Sequence, residues 1–250
     1  MADFIAAVAF LTRLPVGRRW VFGARDVARS QRWFPLAGAL LGGIYAGALW
    51  LCTPLFPALV TAVLLVALDA RLTGAMHFDG LADTADGFGG GSTREDVLRI
   101  MRDHAIGSYG AVALVLAVAL KVATLAALID AQRAIPAVVL APVLGRWSAV
   151  LLSATQPYAR PVTDDEPKSV GSPARHVGPT ESAIATGIAL VIAAAVDGWR
   201  GLAALALVAA AGALWAWRCR RRIGGVTGDT LGAGIMLSEC LVLLLLTAVK

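Results

Sequence analysis

Charged side chains are scarce in this sequence of 250 residues. Asp, Glu, Lys and Arg make up only 16% of it, whereas ordinary soluble domains carry ~25%. Apolar residues reach 58% and the mean hydropathy is +0.73, more apolar surface than a soluble fold of this size can bury. This balance excludes a disordered chain, a coiled coil and a nucleic-acid-binding domain. It predicts a polytopic membrane protein.

Cysteines are also few. Cys52, Cys219 and Cys240 form an odd set without metal-ligand spacing, so neither a disulfide framework nor a thiolate metal site is expected. No basic segment precedes the first apolar run, which argues against a cleaved signal peptide.

The apolar residues are collected in runs long enough to cross a bilayer, which takes ~20 helical residues. These runs are continuous and rich in Ala and Leu rather than alternating, so they predict helices and not strands. Gly and Ala within them permit close helix contacts. The sequence therefore predicts an all-α transmembrane bundle, a single domain over 1–250, with about seven spans near 36–56, 57–76, 108–130, 134–155, 180–197, 199–217 and 230–249.

Basic residues are concentrated on one side of these spans. Seventeen of the 22 fall there, and only Arg133, Arg200 and Lys250 fall on the other side. The positive-inside rule then places the N-terminus and the loops 77–107, 156–179 and 218–229 in the cytoplasm. Since the elaborated loops share one face, we expect the functional site there. The loop 156–179 is typical of a substrate-covering segment or a plain linker.

The most informative motif follows the second span and reads His77-Phe-Asp-Gly-Leu-Ala-Asp-Thr-Ala-Asp-Gly87. Asp79, Asp83 and Asp86 are spaced i, i+4, i+7, which puts them on one stripe of a helix within roughly 60°. Such carboxylates repel each other unless a cation lies between them, and oxygen ligands suit Mg²⁺ or Mn²⁺. The alternative is a solvated acidic helix face. His77 falls off the stripe and is expected to form hydrogen bonds rather than bind metal.

Polar residues near this motif leave alternatives open. Residues 92–95 match a capping box, which predicts an interfacial helix after it. Asp103, at the end of that helix, is either a further metal ligand or an ion-pair partner of Arg99. Asp229 opens the last span and either acts in the site or caps that span.

Ionisable residues within predicted spans are costly and therefore need partners or functions. Glu239 lies deep in the last span, and Arg146 on another span is its candidate partner. Arg146 could instead bind an anionic substrate. Lys121 is expected to form a pair or to extend towards the interface.

These motifs resemble the cobalamin synthase family. The resemblance is carried by the aspartate motif, by Met101-Arg-Asp with Ile106-Gly-Ser-Tyr-Gly110, and by Gly228-Asp-Thr-Leu-Gly-Ala; the segments Phe10-Leu-Thr-Arg-Leu-Pro15 and Phe34-Pro-Leu-Ala-Gly38 also fit. One departure is His104-Ala105, where many relatives have Ser-Arg, so neither position is given a role.

The resemblance implies a Mg²⁺-dependent enzyme of the cell inner membrane with its active site on the cytoplasmic face. Its reaction joins adenosylcobinamide-GDP to α-ribazole or α-ribazole 5′-phosphate and releases GMP, in the last steps of cobalamin biosynthesis. The implied partners are these substrates and the lipid bilayer; no nucleic acid is expected, and a homo-oligomer is left open. The residues that fit this reaction are Asp79, Asp83 and Asp86 as metal ligands, either Asp103 or Asp229 as the proton acceptor, and Arg102 and Arg146 as phosphate-binding residues.

Two other interpretations remain. One is a membrane transferase acting on a CDP-alcohol or a prenyl diphosphate, although the Ala-Arg pair and spaced repeat of the CDP-alcohol motif are missing. The other is a transporter that uses Asp69, Lys121, Arg146 and Glu239 within the membrane. Against it, the acidic motif lies at a span end and the chain has no repeated halves.

Overall fold

The computed structural model describes residues 2–16, 22–160 and 177–248. Residues 161–176 of the predicted loop 156–179 lie outside these ranges. All three cysteines are free, as predicted. The described residues form one 3-10 turn, Gln31–Trp33, and ten helices: α1 (Ala2–Leu11), α2 (Ala24–Ser30), α3 (Phe34–Cys52), α4 (Ala58–Thr73), α5 (Met76–Gly90), α6 (Arg94–Ile100), α7 (Ser108–Asp130), α8 (Ala134–Thr155), α9 (Pro179–Ile223) and α10 (Gly228–Ala248).

Several of these helices, alone or joined to a neighbour, are long and apolar enough to cross a membrane. Five candidates qualify directly: α7, α8, α9, α10 and the continuous segment Ala24–Cys52. α4 and α5 qualify together as one span that is bent by 89°. The bend follows Gly74 and Ala75, whose φ angles of 65° and 58° are left-handed and cannot continue a helix.

α9 has 45 residues and reverses direction within them, as its contacts with α8 show. Trp147 of α8 donates a hydrogen bond to Thr186, 3.1 Å away. Leu152 of the same helix packs with Trp215. Trp147 and Leu152 are ~7.5 Å apart along α8, whereas a straight helix would hold Thr186 and Trp215 ~44 Å apart.

The reversal is made by two residues. Asp197 and Gly198 leave the helical region, and the φ of 53° at Gly198 favours glycine. Gly201 then lies so close to the carbonyl oxygen of Ala193 that any side chain would collide with it. α9 is therefore two antiparallel spans, and the bundle has the seven that the sequence predicts.

A buried ionic network joins five of the spans. Lys121 of α7 lies 2.6 Å from carboxylate oxygens of both Asp69 on α4 and Glu239 on α10. Glu239 also pairs with Arg146 of α8. The hydroxyl of Tyr45 on α3 donates a hydrogen bond to Asp69 over 2.8 Å.

This network is balanced, with two cations against two carboxylates, and all four charged residues are at most 5% exposed. A buried charge without its partner is strongly destabilising, so each residue depends on the others. The predicted pairing of Glu239 with Arg146 is confirmed. Lys121, whose role was left open, forms pairs rather than extending to the interface.

Close helix packing makes room for this network. A side chain at Gly42 of α3 would lie 2.7 Å from the Cα atom of Val139 on α8, and one at Gly38 would collide with the carbonyl group of Pro142. The predicted role of small residues is thus confirmed between α3 and α8. Gly43 and Gly47 have no neighbour at their missing side chains.

The N-terminal helix α1 was not predicted. Its Phe10 ring stacks on Phe34 at the start of α3, with centroids 5.8 Å apart. The backbone N–H of Arg13 donates to the carbonyl oxygen of Leu72 over 2.6 Å. α1 therefore packs against the bundle where α4 bends into α5.

Topology is tested with reporter fusions after residues 57, 165 and 225. Because three spans separate the first two sites, we expect them to report opposite sides of the membrane. Because α9 crosses twice, the fusions after 165 and 225 should report the same side. Opposite sides for those two would mean that α9 crosses only once.

Glu239→Gln should destabilise the protein, since Arg146 and Lys121 would then share only the carboxylate of Asp69. Breaking a buried pair costs about 3–5 kcal/mol, so thermal unfolding in detergent should occur several degrees lower. Glu95→Gln is the matched control, because the Glu95 side chain is 78% exposed. Equal unfolding temperatures for both variants would contradict a structural role for the network.

Candidate active site

The three aspartates of the acidic motif lie on α5, as the spacing predicts. Asp79 is exposed, Asp83 is half-buried and Asp86 is buried. The stripe therefore runs from solvent towards the start of α7, and its members have different surroundings.

Asp86 holds the N-terminus of α7. Its two carboxylate oxygens accept hydrogen bonds from the backbone N–H groups of Gly107 and Gly110, over 2.7 and 2.8 Å. A side chain at either glycine would collide with the carboxylate. The carboxylate accepts hydrogen bonds from N–H groups that have no partner within the helix. Its negative charge also interacts favourably with the positive N-terminal end of the helix dipole. Each oxygen keeps a second lone pair that could bind a metal ion. A metal-binding role for Asp86 is therefore compatible with these hydrogen bonds and stays a prediction.

Asp229 reaches the stripe because α10 crosses α5 at a glycine. A side chain at Gly80 would lie 2.7 Å from the carbonyl oxygen of Asp229, so the two backbones touch. The carboxylates of Asp79, Asp229 and Asp86 all repel the ionised Asp83. The structure thus brings together four of the acidic residues that the sequence singled out.

The Asp229 carboxylate is not needed to cap the start of α10, because two threonines do so. The backbone N–H of Thr227 donates to the hydroxyl of Thr230 over 2.8 Å, and the N–H of Thr230 donates to the hydroxyl of Thr227 over 3.3 Å. These two threonines cap the helix. The capping role that the sequence left open for Asp229 therefore belongs to Thr227.

Arg160 is a residue of this site that sequence reasoning missed. Its guanidinium group donates to Asp229 over 2.8 Å and offsets part of the repulsion among the carboxylates. The residues beside it are fixed by backbone hydrogen bonds of Ala159 and Pro157 with Val226, each of 2.8 Å. No motif marks Arg160, because it is 69 residues away from Asp229 along the chain.

α6 begins one residue later than the predicted capping box implies. Thr93, not Ser92, is the cap: its hydroxyl accepts a hydrogen bond from the backbone N–H of Asp96. The same hydroxyl donates to the Asp96 side chain, which lowers the pKa of that carboxyl. α6 packs through Val97, which lies in one apolar cluster with Ile223.

Asp103 and Arg102 lie on the exposed turn after α6. Asp103 accepts a hydrogen bond from the backbone N–H of Ala105 over 3.0 Å. Arg99, proposed as its partner, lies 3.5 Å from Asp96 instead. Roles for Asp103 as a proton acceptor and for Arg102 in phosphate binding stay predictions.

Arg146 and His77 lie on the inner side of α5, away from the aspartate stripe. Arg146 is fully buried and pairs with Glu239. One of its terminal nitrogens lies 3.5 Å from Nδ1 of His77, which is itself only 2% exposed. The prediction that His77 points off the stripe is confirmed. The structure gives Arg146 an internal ion pair, and substrate binding by it stays a prediction.

Within the described residues, no group of three His, Cys, Asp or Glu side chains is arranged to hold a metal ion. Mg²⁺, however, commonly binds through one or two carboxylates and takes its other ligands from water and substrate phosphates. Asp79 and Asp83 are solvent-accessible, repel each other and offer only oxygen ligands. These residues therefore fit an ion that arrives with a phosphorylated substrate.

Comparison with known proteins gives matches over nearly the full chain. The family model described as cobalamin-5-phosphate synthase matches residues 3–247. A Syntrophobacter fumaroxidans protein named adenosylcobinamide-GDP ribazoletransferase is 42% identical over 99% of this chain and 97% of its own. Proteins of the same name from Shewanella sp. and Shewanella baltica are both 38% identical, over 98% and 94% of this chain and 94% and 90% of their own. No solved structure matches the chain significantly. These matches favour neither a transferase acting on a CDP-alcohol or prenyl diphosphate nor a transporter.

Asp86→Asn should lower thermal stability in detergent, whereas Asp79→Asn should not. An amide replaces one acceptor oxygen with a donor, so one backbone N–H of α7 loses its partner at a cost of about 1–3 kcal/mol. At exposed Asp79 the same change only removes a repulsive charge. Thermal unfolding of the two variants checks this contrast, and equal stability would contradict the capping role of Asp86.

Proposed function

The chain belongs to the cobalamin-5-phosphate synthase family, and we propose that it transfers the cobinamide phosphate of adenosylcobinamide-GDP to α-ribazole or α-ribazole 5′-phosphate, with release of GMP. The observation that carries this proposal is the meeting of Asp79 and Asp83 on α5 with Asp229 on α10. A phosphoryl-transfer site needs such a group of carboxylates, both to bind a cation and to accept a proton.

The reaction breaks the phosphoanhydride bond of the diphosphate and forms a phosphate ester bond to the ribose of the acceptor. A ribose hydroxyl that is free in both α-ribazole and its 5′-phosphate forms a bond from its oxygen to the phosphorus attached to cobinamide, and the bond from that phosphorus to the GMP oxygen breaks. The hydroxyl proton must leave as the new bond forms. Asp229 is placed to accept it, because Arg160 and Thr227 hold its carboxylate beside α5. Asp103 is the second candidate acceptor.

Asp79 and Asp83 would hold Mg²⁺, with Asp86 contributing its free lone pairs. When bound, the ion supplies positive charge that stabilises the phosphate oxygens and the departing GMP. Burial raises the pKa of the Asp229 carboxyl, which suits a proton acceptor, and the Arg160 guanidinium group offsets part of that rise. Arg102, which is exposed on the turn after α6, is the proposed ligand of the diphosphate.

The proposed location is the cell inner membrane, with this site on the cytoplasmic face. The arginines at the end of α9 support it, because Arg222 donates to the carbonyl oxygens of Phe88 and Gly91 at the end of α5. Arg94 of α6 likewise donates to the carbonyl oxygen of Ile223 over 2.9 Å. The most basic end of the bundle is thus the end that carries the carboxylates, in agreement with the positive-inside rule.

The decisive assay incubates the purified protein in lipid vesicles with adenosylcobinamide-GDP, α-ribazole and Mg²⁺. We expect a cobamide and an equal amount of GMP, and no transfer in excess EDTA. Asp79→Asn, Asp83→Asn and Asp229→Asn should each lower the rate by roughly 100-fold or more, since each removes a charge that acts on the transition state.

Asp130→Asn is the matched control, because Asp130 ends α7 at the opposite end of that helix from Asp86 and is exposed. It should keep the wild-type rate. Turnover in excess EDTA would contradict the requirement for a metal ion. Near-normal rates in all three site variants would mean that the reaction takes place elsewhere in the protein.

A further inference from the structure

A small cavity lies on the face of α5 opposite to the aspartates. It has a volume of about 50 Å³ and is enclosed by α1, the 3-10 turn, α5, α8 and α10. Most of its wall is apolar and includes the stacked rings of Phe10 and Phe34. Three polar side chains interrupt this wall: Gln31, His77 and Ser153.

Each of these three side chains has an unsatisfied polar atom. Oε1 of Gln31, Nε2 of His77 and Oγ of Ser153 are buried and have no hydrogen-bond partner among the described residues. Their residues are only 4%, 2% and 4% exposed. Buried polar groups in native proteins are nearly always paired. Three unpaired atoms around one cavity therefore indicate that a polar molecule binds there.

The neighbours of His77 define what the cavity can recognise. Arginine only donates hydrogen bonds, so the contact with Arg146 makes Nδ1 of His77 an acceptor and leaves the hydrogen on Nε2. Nε2 is then a donor towards the cavity. Oε1 of Gln31 is an acceptor, and the hydroxyl of Ser153 can do both. The partner must offer one acceptor and one or more donors.

The lining also excludes charged ligands, because the described residues around the cavity include no Lys, Arg, Asp or Glu. An azole nucleoside fits both conditions: its unsubstituted ring nitrogen accepts, its ribose hydroxyls donate, and its base and ribose carry no charge whether or not a 5′-phosphate is attached outside the cavity. The volume admits the nitrogen edge of one ring, and apolar walls suit the ring faces.

We infer that this cavity is the subsite for the azole base of the acceptor nucleoside. Gly228, at one end of the cavity, directly precedes Asp229. A nucleoside held by its base there would have its ribose near Asp229, the proposed acceptor of the hydroxyl proton. This inference rests on the proposed function and adds to it which residues select the acceptor.

The test measures binding of α-ribazole to the full-length protein in detergent, without adenosylcobinamide-GDP, and then both KM values. Ser153→Ala and Gln31→Met remove one polar atom each with little change in volume. Each should raise the Kd and the KM for α-ribazole ~5-fold, the effect of one hydrogen bond. The KM for adenosylcobinamide-GDP should not change.

Ser148→Ala is the matched control. Like Ser153, Ser148 is a buried serine of α8, but its hydroxyl already donates to the carbonyl oxygen of Gly145 over 2.7 Å. This variant should bind α-ribazole as the wild type does. An α-ribazole analogue with CH in place of the unsubstituted ring nitrogen should bind the wild type ~5-fold more weakly, because it cannot accept from His77.

The outcomes separate the subsite from the proposed function. Suppose that the wild-type protein makes a cobamide and that Ser153→Ala and Gln31→Met leave the Kd and the KM for α-ribazole unchanged. The cavity then holds only water, and the subsite is overturned. Equal binding of α-ribazole and its analogue would overturn it as well. Wild-type protein that binds α-ribazole through these residues but makes no cobamide would overturn the proposed function and leave the subsite standing.

Discussion

The structure depends on pairing four charges inside an apolar bundle. Asp69, Lys121, Arg146 and Glu239 come from four different helices, and none could be buried without the others. Apolar packing alone tolerates small rotations and shifts of one helix against another, whereas charge-assisted hydrogen bonds at 2.6 Å do not. The network therefore fixes the register of the spans on which the site is assembled.

The network acts on the site through α5. Arg146 contacts His77 in the first turn of that helix, and Asp69 lies one turn before the end of α4. The bend after Thr73 then directs α5 across the start of α10, where Gly80 permits backbone contact with Asp229. α5 consequently has two different polar faces: carboxylates on one side, and on the other a cavity lined by polar groups without hydrogen-bond partners among the described residues. Acceptor binding and phosphate chemistry would meet across the width of a single helix.

Much of this could be predicted from the sequence, because the relevant signals are local. Runs of apolar residues predicted the spans, helix periodicity placed Asp79, Asp83 and Asp86 on one stripe, and the cost of a buried carboxylate predicted a partner for Glu239. Apart from the pairing of Glu239 with Arg146, contacts between distant segments could not be predicted. The pairing of Arg160 with Asp229 and the use of Asp86 to hold α7 depend on how helices cross, which no spacing along the chain encodes. The cap of α6 was misplaced by one residue because Ser92 and Thr93 are adjacent and are both suitable N-cap residues, so the sequence pattern does not decide between them.

The balance of the buried network also bears on how the protein responds to an energised membrane. A transmembrane voltage exerts a force on net charge, about 2.3 kcal/mol for each elementary charge moved across 100 mV. Here two positive and two negative groups are in direct contact, so their electrical work cancels. The bundle can therefore keep ionised residues within the bilayer without becoming a voltage sensor, and its geometry should be the same in a resting cell and in a fully energised one.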